Sequence, residues 1–355
     1  MELPTLDRFP QPVLAKIDIQ RAFIISRLIV AAERLQLFRL LHGRHLKAEA
    51  IGRKLNIHKS FLKTFLNSLV SLRLLGKAKD TYWNTPLAEK YFVAQRSIYW
   101  TRQYSKECVQ DYEALTRLEK VLASGRSYAS IQRVKKPRYT EIMERDRRQA
   151  EDFTQMLFHL HRDDAEALAN YLDLSSRRAV LDVGGGSGVM SIALAKQNPH
   201  LRATILDVAP VCGVAARNIR RAGLSRRVST LAGDMRHSLP KGYDVIMFCD
   251  VGPITEQHLR NACKSLPVNG RIVLVDRYLS KDGTDPLDRL VSLFVGSSFP
   301  QNTWADMLET VKACGFRGVK AENPYRGLWV ITGTKPNRQR DSLRRMPYRV
   351  AERSS

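Results

Sequence analysis

The sequence predicts an α/β protein: a doubly wound, mostly parallel sheet in the C-terminal half, preceded by a separate all-α N-terminal domain. Three observations predict it. Five short β-rich runs, residues 179–183, 203–208, 228–232, 244–248 and 271–275, alternate with helical stretches, as βαβ units require. The first run ends in Gly184-Gly185-Gly186-Ser187-Gly188 and opens directly into a helix over residues 189–197. Residues 17–41, by contrast, place apolar side chains every three or four positions, the period of a helix. At 355 residues the chain has room for two domains.

In chain order, the helix over 17–41 is followed by a short helix over 47–55. A third helix over 59–74 carries Phe61, Leu62, Phe65, Leu66, Leu69 and Val70 on one stripe. Gly76 is expected to stop it, as a residue tolerant of positive φ does at a helix C-terminus. Residues 77–84 read as strand, and Thr85-Pro86-Leu87-Ala88 restarts a helix. Three helices followed by a small wing form a winged-helix arrangement. Residues 98–170 read as helices interrupted near Ser124–Ser127 and at Pro137, a connecting layer that helps to cover a substrate. After the five strands, residues 318–321 and 328–332 lack a helix between them and so end the sheet antiparallel. From Lys335 the chain is polar and basic without periodicity, the composition of a disordered tail. The expected division is 1–97 winged helix, 98–170 connecting helices, 171–335 sheet domain and 336–355 tail.

Hydrophobic residues make up 44% and charged residues 26%, the balance of a water-soluble globular protein. The longest apolar stretch near the start, residues 22–32, is broken by Arg27. No segment reaches the ~18 apolar residues of a membrane span. Glu2 and Asp7 do not fit a secretory leader. The five cysteines are scattered without a CxxC pair, which argues against a disulfide framework or metal site and for a reducing, cytoplasmic setting. The net charge of +23 concentrates in residues 133–138, 217–227 and 338–353. It reads either as a solvated basic surface or as an attractor of nucleic acid, anionic membrane or acidic small molecules.

The sharpest motif is Asp182-Val183-Gly184-Gly185-Gly186-Ser187-Gly188. Missing side chains let backbone approach a ligand, and the helix N-terminus presents free N–H groups. A dinucleotide fingerprint starting at Gly184 needs glycine or alanine at 189, which is Val189. Asp182 beside the glycines suits a cationic amino-acid ligand better than a pyrophosphate. Asp207 closes the next strand about 20 residues beyond the glycines, where an acidic residue grips ribose hydroxyls. Asp234, in Gly233-Asp234-Met235, ends the third strand within reach of an adenine amino group. All three lie at strand C-termini, where open α/β sheets bind ligands.

These residues resemble class I S-adenosyl-L-methionine (SAM)-dependent methyltransferases, and more narrowly the caffeate, acetylserotonin and hydroxyneurosporene O-methyltransferase family. The resemblance runs from residues 17–92 through the glycine loop, Leu206-Asp207-Val208, Gly233-Asp234-Met235 and residues 266–271, to residues 330–335. It implies a Rossmann-like sheet, SAM as cofactor, a small-molecule acceptor and a homodimer built by the N-terminal domain. It implies that Asp182, Gly184 and Gly186, with Gly188, hold the amino-acid part of SAM. Asp207 would take the ribose and Asp234 the adenine, with Met235 and Cys249 among the cofactor-binding residues; Cys249, a strand cysteine with no paired base, also reads as core and not as a nucleophile. Met156, Phe158, His159, Leu290, Phe294 and Trp304 match regions that form substrate walls, although each is equally a candidate core residue.

One departure matters. The family's His-Asp-Trp motif follows strand four and supplies a histidine base, but here Cys249-Asp250-Val251-Gly252-Pro253 places Gly252–Pro253 in that slot, in a shorter loop. A glutamate that orients the histidine corresponds to Asp276, and a second has no counterpart before Trp304. A positioned base contributes ~10²–10⁴ in rate, and a phenol of pKa about 10 is mostly neutral at pH 7. The acceptor is therefore already acidic or a carbon nucleophile, or another residue is the base, or the protein binds SAM without transferring methyl. Asp250 is the first candidate for the base, with turn capping as its competing role. His159 and His161 are two apart and cannot share a helix face, so at most one points inward. His258 reads as a surface residue. Three functions compete: methyl transfer to a hydroxyl or carbon of an aromatic or polyene-like metabolite, non-methylating chemistry on the same fold, and a SAM-sensing DNA-binding regulator. Against the last, the helix over 59–74 offers Lys59, Lys63 and Asn67, with Arg73 at its far end, a poor set for reading guanine.

Overall fold

The computed structural model describes residues 21–93, 105–133, 139–296, 302–325 and 327–337. The tail from residue 338, the boundary at 97/98, Pro137 and residues 297–301 ahead of Trp304 lie outside the described residues. The chain divides into two units, Met1–Lys136 with Asp146–Leu160, and Pro137–Arg145 with His161–Ser355.

In the first unit the described part of the helix expected over 17–41, residues 21–41, holds two helices: α1 (Phe23–Arg34) and α2 (Leu37–Leu40). Gln36 between them takes φ 59°, in the left-handed region, and the turn sends Leu37 and Phe38 into the core at 0% and 2% exposure. Next come β1 (Leu46–Lys47), α3 (Ala48–Leu55) and α4 (Lys59–Ser71), then a hairpin of β2 (Leu75–Ala78) and β3 (Thr81–Asn84). The small sheet has the order β1-β3-β2, a wing after helices as the sequence predicts. Gly76 does not stop α4. The helix ends at Ser71 and Arg73 makes the turn with φ 57°. Gly76 instead lies in β2, where a Cβ would fall 2.3 Å from Trp83 Nε1, so close stacking of Trp83 requires glycine. Thr85 accepts from Ala88 N–H at 3.3 Å and starts α5 (Pro86–Ala88), which runs into a π-helical turn at Glu89–Val93. Ile51, Leu66, Leu69, Tyr82 and Phe92 close one apolar core with Leu37 and Phe38. Helices α6 (Ser105–Leu115), α7 (Leu118–Ser124), α8 (Tyr128–Ile131) and α10 (Arg147–Leu160) complete this unit, and α9 (Tyr139–Arg145) belongs to the second.

The second unit begins its main run with α11 (Arg162–Tyr171). Its strands are β4 (Ala179–Val183), β5 (Arg202–Asp207), β6 (Val228–Ala232), β7 (Val245–Cys249), β8 (Arg271–Asp276), β9 (Arg317–Tyr325) and β10 (Leu328–Thr334). Between them lie α12 (Val189–Gln197), α13 (Ala209–Arg221), α14 (Glu256–Ser265), α15 (Leu287–Val295) and α16 (Trp304–Ala313). The order is β6-β5-β4-β7-β8-β10-β9. The pairs from β6 to β8 are parallel, and β10 runs antiparallel to both β8 and β9, the expected ending. β7 is buried along its whole length, as a central parallel strand covered on both faces must be. The chain winds from β4 outward to β6, then returns to β7 on the other side of β4. That reversal opens a crevice at the C-terminal ends of β4 and β7. Among the described residues no helix is long and apolar enough to cross a membrane.

Candidate functional site

The crevice is built by the turn from β4 into α12. Gly184 has φ 68°, and a Cβ there would lie 2.5 Å from Val251 Cγ1, so glycine is required both by the backbone and by the residue following β7. At Gly185 a Cβ would press to 2.6 Å from Asp182 Cγ. Gly186 and Gly188 also have positive φ, 54° and 78°. The loop is tied to β5 from beneath: Gly184 N–H donates to Leu206 O at 2.7 Å, and Gly186 N–H to Asp207 Oδ2 at 2.9 Å.

Asp182 is fully buried at 0% exposure. Its Oδ2 accepts from Ser191 Oγ at 2.7 Å, while its Oδ1 is buried without a hydrogen-bond partner. Burial, with the nearby Asp207 charge, pushes the carboxyl up to about 7 against the Ser191 hydrogen bond. A buried carboxylate with an open oxygen is stabilised by a cationic donor and destabilised without one. Asp207 is likewise raised by burial, to about 6, although backbone N–H groups of Gly186 and Val208 favour its charged form. Asp234 differs. Arg236 holds it in a fork, with Nε 2.9 Å from both carboxylate oxygens and Nη2 in short contact with Oδ2, and this pulls Asp234 down to about 2. Met235 is half-buried, close to the space beside Gly184. Cys249 is buried at the end of β7, and burial drives its thiol well above the ordinary range.

On the other side of the crevice the residues after β7 and β8 join a charge network. Asp250 takes φ 50° and its side chain is 31% exposed. His161 Nε2 lies 3.1 Å from Asp250 Oδ2, and His161 Nδ1 lies 3.1 Å from Asp164 Oδ2. Arg277 Nη2 donates to both oxygens of Asp164 at 3.1 Å. Arg289 Nη2 donates to Asp276 Oδ1 at 3.2 Å and stands 4.0 Å from Asp250 Oδ1. Burial opposes an imidazolium here, but the hydrogen bonds and charges of Asp164 and Asp250 outweigh it and lift His161 to about 9. Burial also opposes the Asp250 carboxylate, yet its contact with His161 and the charge of Arg289 hold it below the usual range. Asp276 is raised to about 6 by burial and the Asp250 charge, against Arg289.

The structure thus brings Asp182, Gly184, Gly186, Gly188, Asp207, Asp250 and Asp276 to the strand ends of one unit. Of the histidine pair, His161 is buried and His159 is exposed, so one of the two points inward. Met156 and Phe158 are half-buried on α10 of the first unit. Leu290 and Phe294 are half-buried on α15, and Trp304 stacks on Trp329 with ring centroids 4.7 Å apart. His258 caps α14, accepting from Thr255 N–H at 3.1 Å. Sequence reasoning missed Asp164, Arg277, Arg289 and the fork of Arg236; an arginine directly following each of Asp276 and Met235 was the available signal. On α4, Asn67 Oδ1 accepts from Tyr82 OH and Lys77 Nζ at 2.9 and 2.8 Å, and Lys63 pairs with Asp80 at 3.1 Å. Two of the three polar residues named on that helix, Lys63 and Asn67, thus have partners within their own domain.

Residues 118–306 match the O-methyltransferase domain family, and residues 17–94 match the O-methyltransferase dimerisation domain. A 3-hydroxy-5-methyl-1-naphthoate 3-O-methyltransferase from Streptomyces sahachiroi is 28% identical over 312 residues, covering 85% of this chain and 89% of that protein. Aclacinomycin 10-hydroxylase RdmB from Streptomyces purpurascens is 38% identical over 128 residues, 34% of each chain. The fold matches human N-acetylserotonin methyltransferase, solved in complex with SAM, with a TM-score of 0.73 at 19% identity, covering 95% of this chain and 100% of that one. With both of its regions matched in chain order, this chain belongs to the O-methyltransferase family of SAM-dependent enzymes.

Proposed function

We propose that this protein transfers a methyl group from SAM to a hydroxyl on a fused aromatic or polyketide-derived metabolite, one acidified by its own conjugated carbonyl groups. The observation that supports it most is the cradle at the end of β4: glycines at 184 and 186 that leave backbone exposed, above a buried Asp182 whose Oδ1 has no hydrogen-bond partner. That donor set fits SAM, whose ammonium group answers an orphaned carboxylate. In this reading Asp182, Gly184, Gly186 and Gly188 hold its amino-acid end, Asp207 its ribose, and Asp234, Met235 and Cys249 surround the adenine side. Bound there, SAM supplies an electrophilic methyl on a sulfonium.

The acceptor chemistry follows from Asp250. A carboxylate held below its usual range is a weak base, and a phenol of pKa about 10 lies ~6 units above even an ordinary carboxylate. Asp250, kept anionic by the charge of Arg289 and its contact with His161 Nε2, therefore accepts a hydrogen bond from the acceptor and takes its proton only when the hydroxyl is already acidic. Asp276 acts one layer behind, fixing Arg289 against that carboxylate. The naphthoate named for the Streptomyces sahachiroi relative shares the fused aromatic hydroxyl of the proposed acceptor. Phe294 and Trp304 are proposed to line the acceptor side of the sheet unit. We further read the protein as a cytoplasmic homodimer, supported by the dimerisation-domain match and by cysteines scattered without a CxxC pair.

The test is incubation of purified protein with methyl-labelled SAM and a panel of hydroxynaphthoates and hydroxylated polyketide quinones. Label in an O-methyl ether supports the proposal; label on carbon contradicts the oxygen assignment. A second reading, SAM-supported chemistry without methyl transfer, is favoured by Gly252–Pro253 in the histidine slot and by the hydroxylase relative. SAM bound with no label transferred to any acceptor would favour it.

A further inference from the structure

We propose that His161 and Asp250 form a charge-sensing pair that discriminates the cationic donor SAM from its neutral product, S-adenosylhomocysteine (SAH), by giving up the imidazolium proton when the sulfonium binds. The inference rests on the donor assignment above and names residues that serve it from the far side of the crevice.

Among the described residues three carboxylates, Asp164, Asp250 and Asp276, face two guanidinium groups, Arg277 and Arg289, and one imidazole, His161. With His161 protonated the set is neutral; without that proton it carries one negative charge. His161 is the member that can change. Guanidinium groups stay charged, and Asp164 and Asp250 are both held below the usual carboxylate range. The groups facing His161 are Asp164 from α11, Asp250 after β7, and, behind these, Arg277 after β8 and Arg289 from α15. Cys249 and Tyr278, buried beside Asp276, are held neutral and add no charge.

The pair adjoins the cradle. Val251, the next residue after Asp250, is the side chain that packs against Gly184, and β7 is the direct neighbour of β4. A positive charge arriving in this poorly solvated corner meets a network already balanced by His161. Two cations competing for Asp250 disfavour the one that can lose its charge, and that is the imidazolium, which stands near 9 in the chain alone. A neutral thioether exerts no such pressure, so the proton stays. Donor binding then strengthens as pH rises towards 9 while product binding does not, so exchange of product for fresh donor is favoured at the alkaline end of that range and disfavoured near pH 7.

Isothermal calorimetry in buffers of different ionisation enthalpy at pH 8.5 tests this, because it counts protons exchanged. Asp182, Asp207 and Asp276 are ionised at that pH and contribute little. The wild-type chain is expected to release about half a proton or more on binding SAM beyond what it releases on binding SAH. Between pH 7 and 9 its SAM-to-SAH affinity ratio should rise about tenfold. In His161→Gln the excess release disappears and the ratio stays within about twofold. Equal proton exchange for the two ligands in the wild-type chain would overturn the inference while leaving the donor site standing, and so would an excess that survives in His161→Gln. Failure to bind either ligand would overturn the donor assignment and the inference together. The wild-type comparison stands even if the variant does not fold.

Discussion

Replacing His161 by glutamine should remove a pH-dependent part of the stability of the sheet unit. In the folded chain the imidazole is raised from 6.5 to about 9 by Asp164 and Asp250, with burial acting in the opposite sense. A raised histidine stabilises the fold fully below its unfolded value, and the contribution is lost as pH climbs through the folded one. Here the loss falls between pH 6.5 and about 9, and the displacement corresponds to about 3 kcal/mol. The group is 8% exposed, so solvent screening removes little of it. At 2–4 °C per kcal/mol, the thermal midpoint of a unit this size should move by roughly 6–12 °C. Circular dichroism melts of wild-type and His161→Gln protein at intervals from pH 6 to 10 read this directly. Buried thiols at Cys212 and Cys249 add an alkaline loss common to both proteins, so the difference between the two is the quantity to follow. It should be largest near pH 6 and close by pH 10. A gap that is constant across that range would refute the ion-pair account of His161.

Three further outcomes follow from the crevice. Gly184→Ala forces a Cβ to within 2.5 Å of Val251 Cγ1 at φ 68°, and should weaken SAH binding about tenfold or more while the far-ultraviolet spectrum is retained; unaltered affinity by calorimetry would contradict the cradle. Asp250→Asn removes the anion that faces the acceptor, and should lower turnover about 10²-fold in steady-state assays with SAH affinity changed less than about threefold; an unchanged pH–rate profile would remove Asp250 from the mechanism. Arg236→Ala releases Asp234 from its fork and should tighten SAH binding by a few fold, since solvent screens the arginine and the pair is weak; weaker binding would show that Arg236 itself contacts the nucleoside.

Much of this architecture was legible because its signals are local. The runs 179–183 and 228–232 match β4 and β6 end to end, since each is a short apolar segment bounded by a turn, and the glycines mark where β4 becomes α12. The antiparallel ending was legible from the missing helix between its last two strands. Local signals failed where a single residue left its regular conformation: periodicity runs straight through Gln36, and Arg73 rather than Gly76 turns the chain after α4. Composition named Asp182, Asp207, Asp250 and Asp276, but not what surrounds them. The partner of Asp250 stands 89 positions earlier at the start of α11, and Arg277 reaches Asp164 across 113 residues, pairings that only the packing of α11 and α15 on the sheet creates. The fork of Arg236 on Asp234 is the reverse case, two positions apart, hidden because an arginine in a basic chain reads as one more surface charge.

The claim on which the rest depends is that the turn after β4 grips the charged end of the methyl donor. Calorimetry of SAM and SAH with the wild-type chain and with Asp182→Asn tests it most directly. The account predicts one saturable site per wild-type chain and an affinity at least about tenfold weaker in the variant, the loss of one charge-assisted contact. No binding by the wild-type chain, or binding that Asp182→Asn leaves intact, would contradict it.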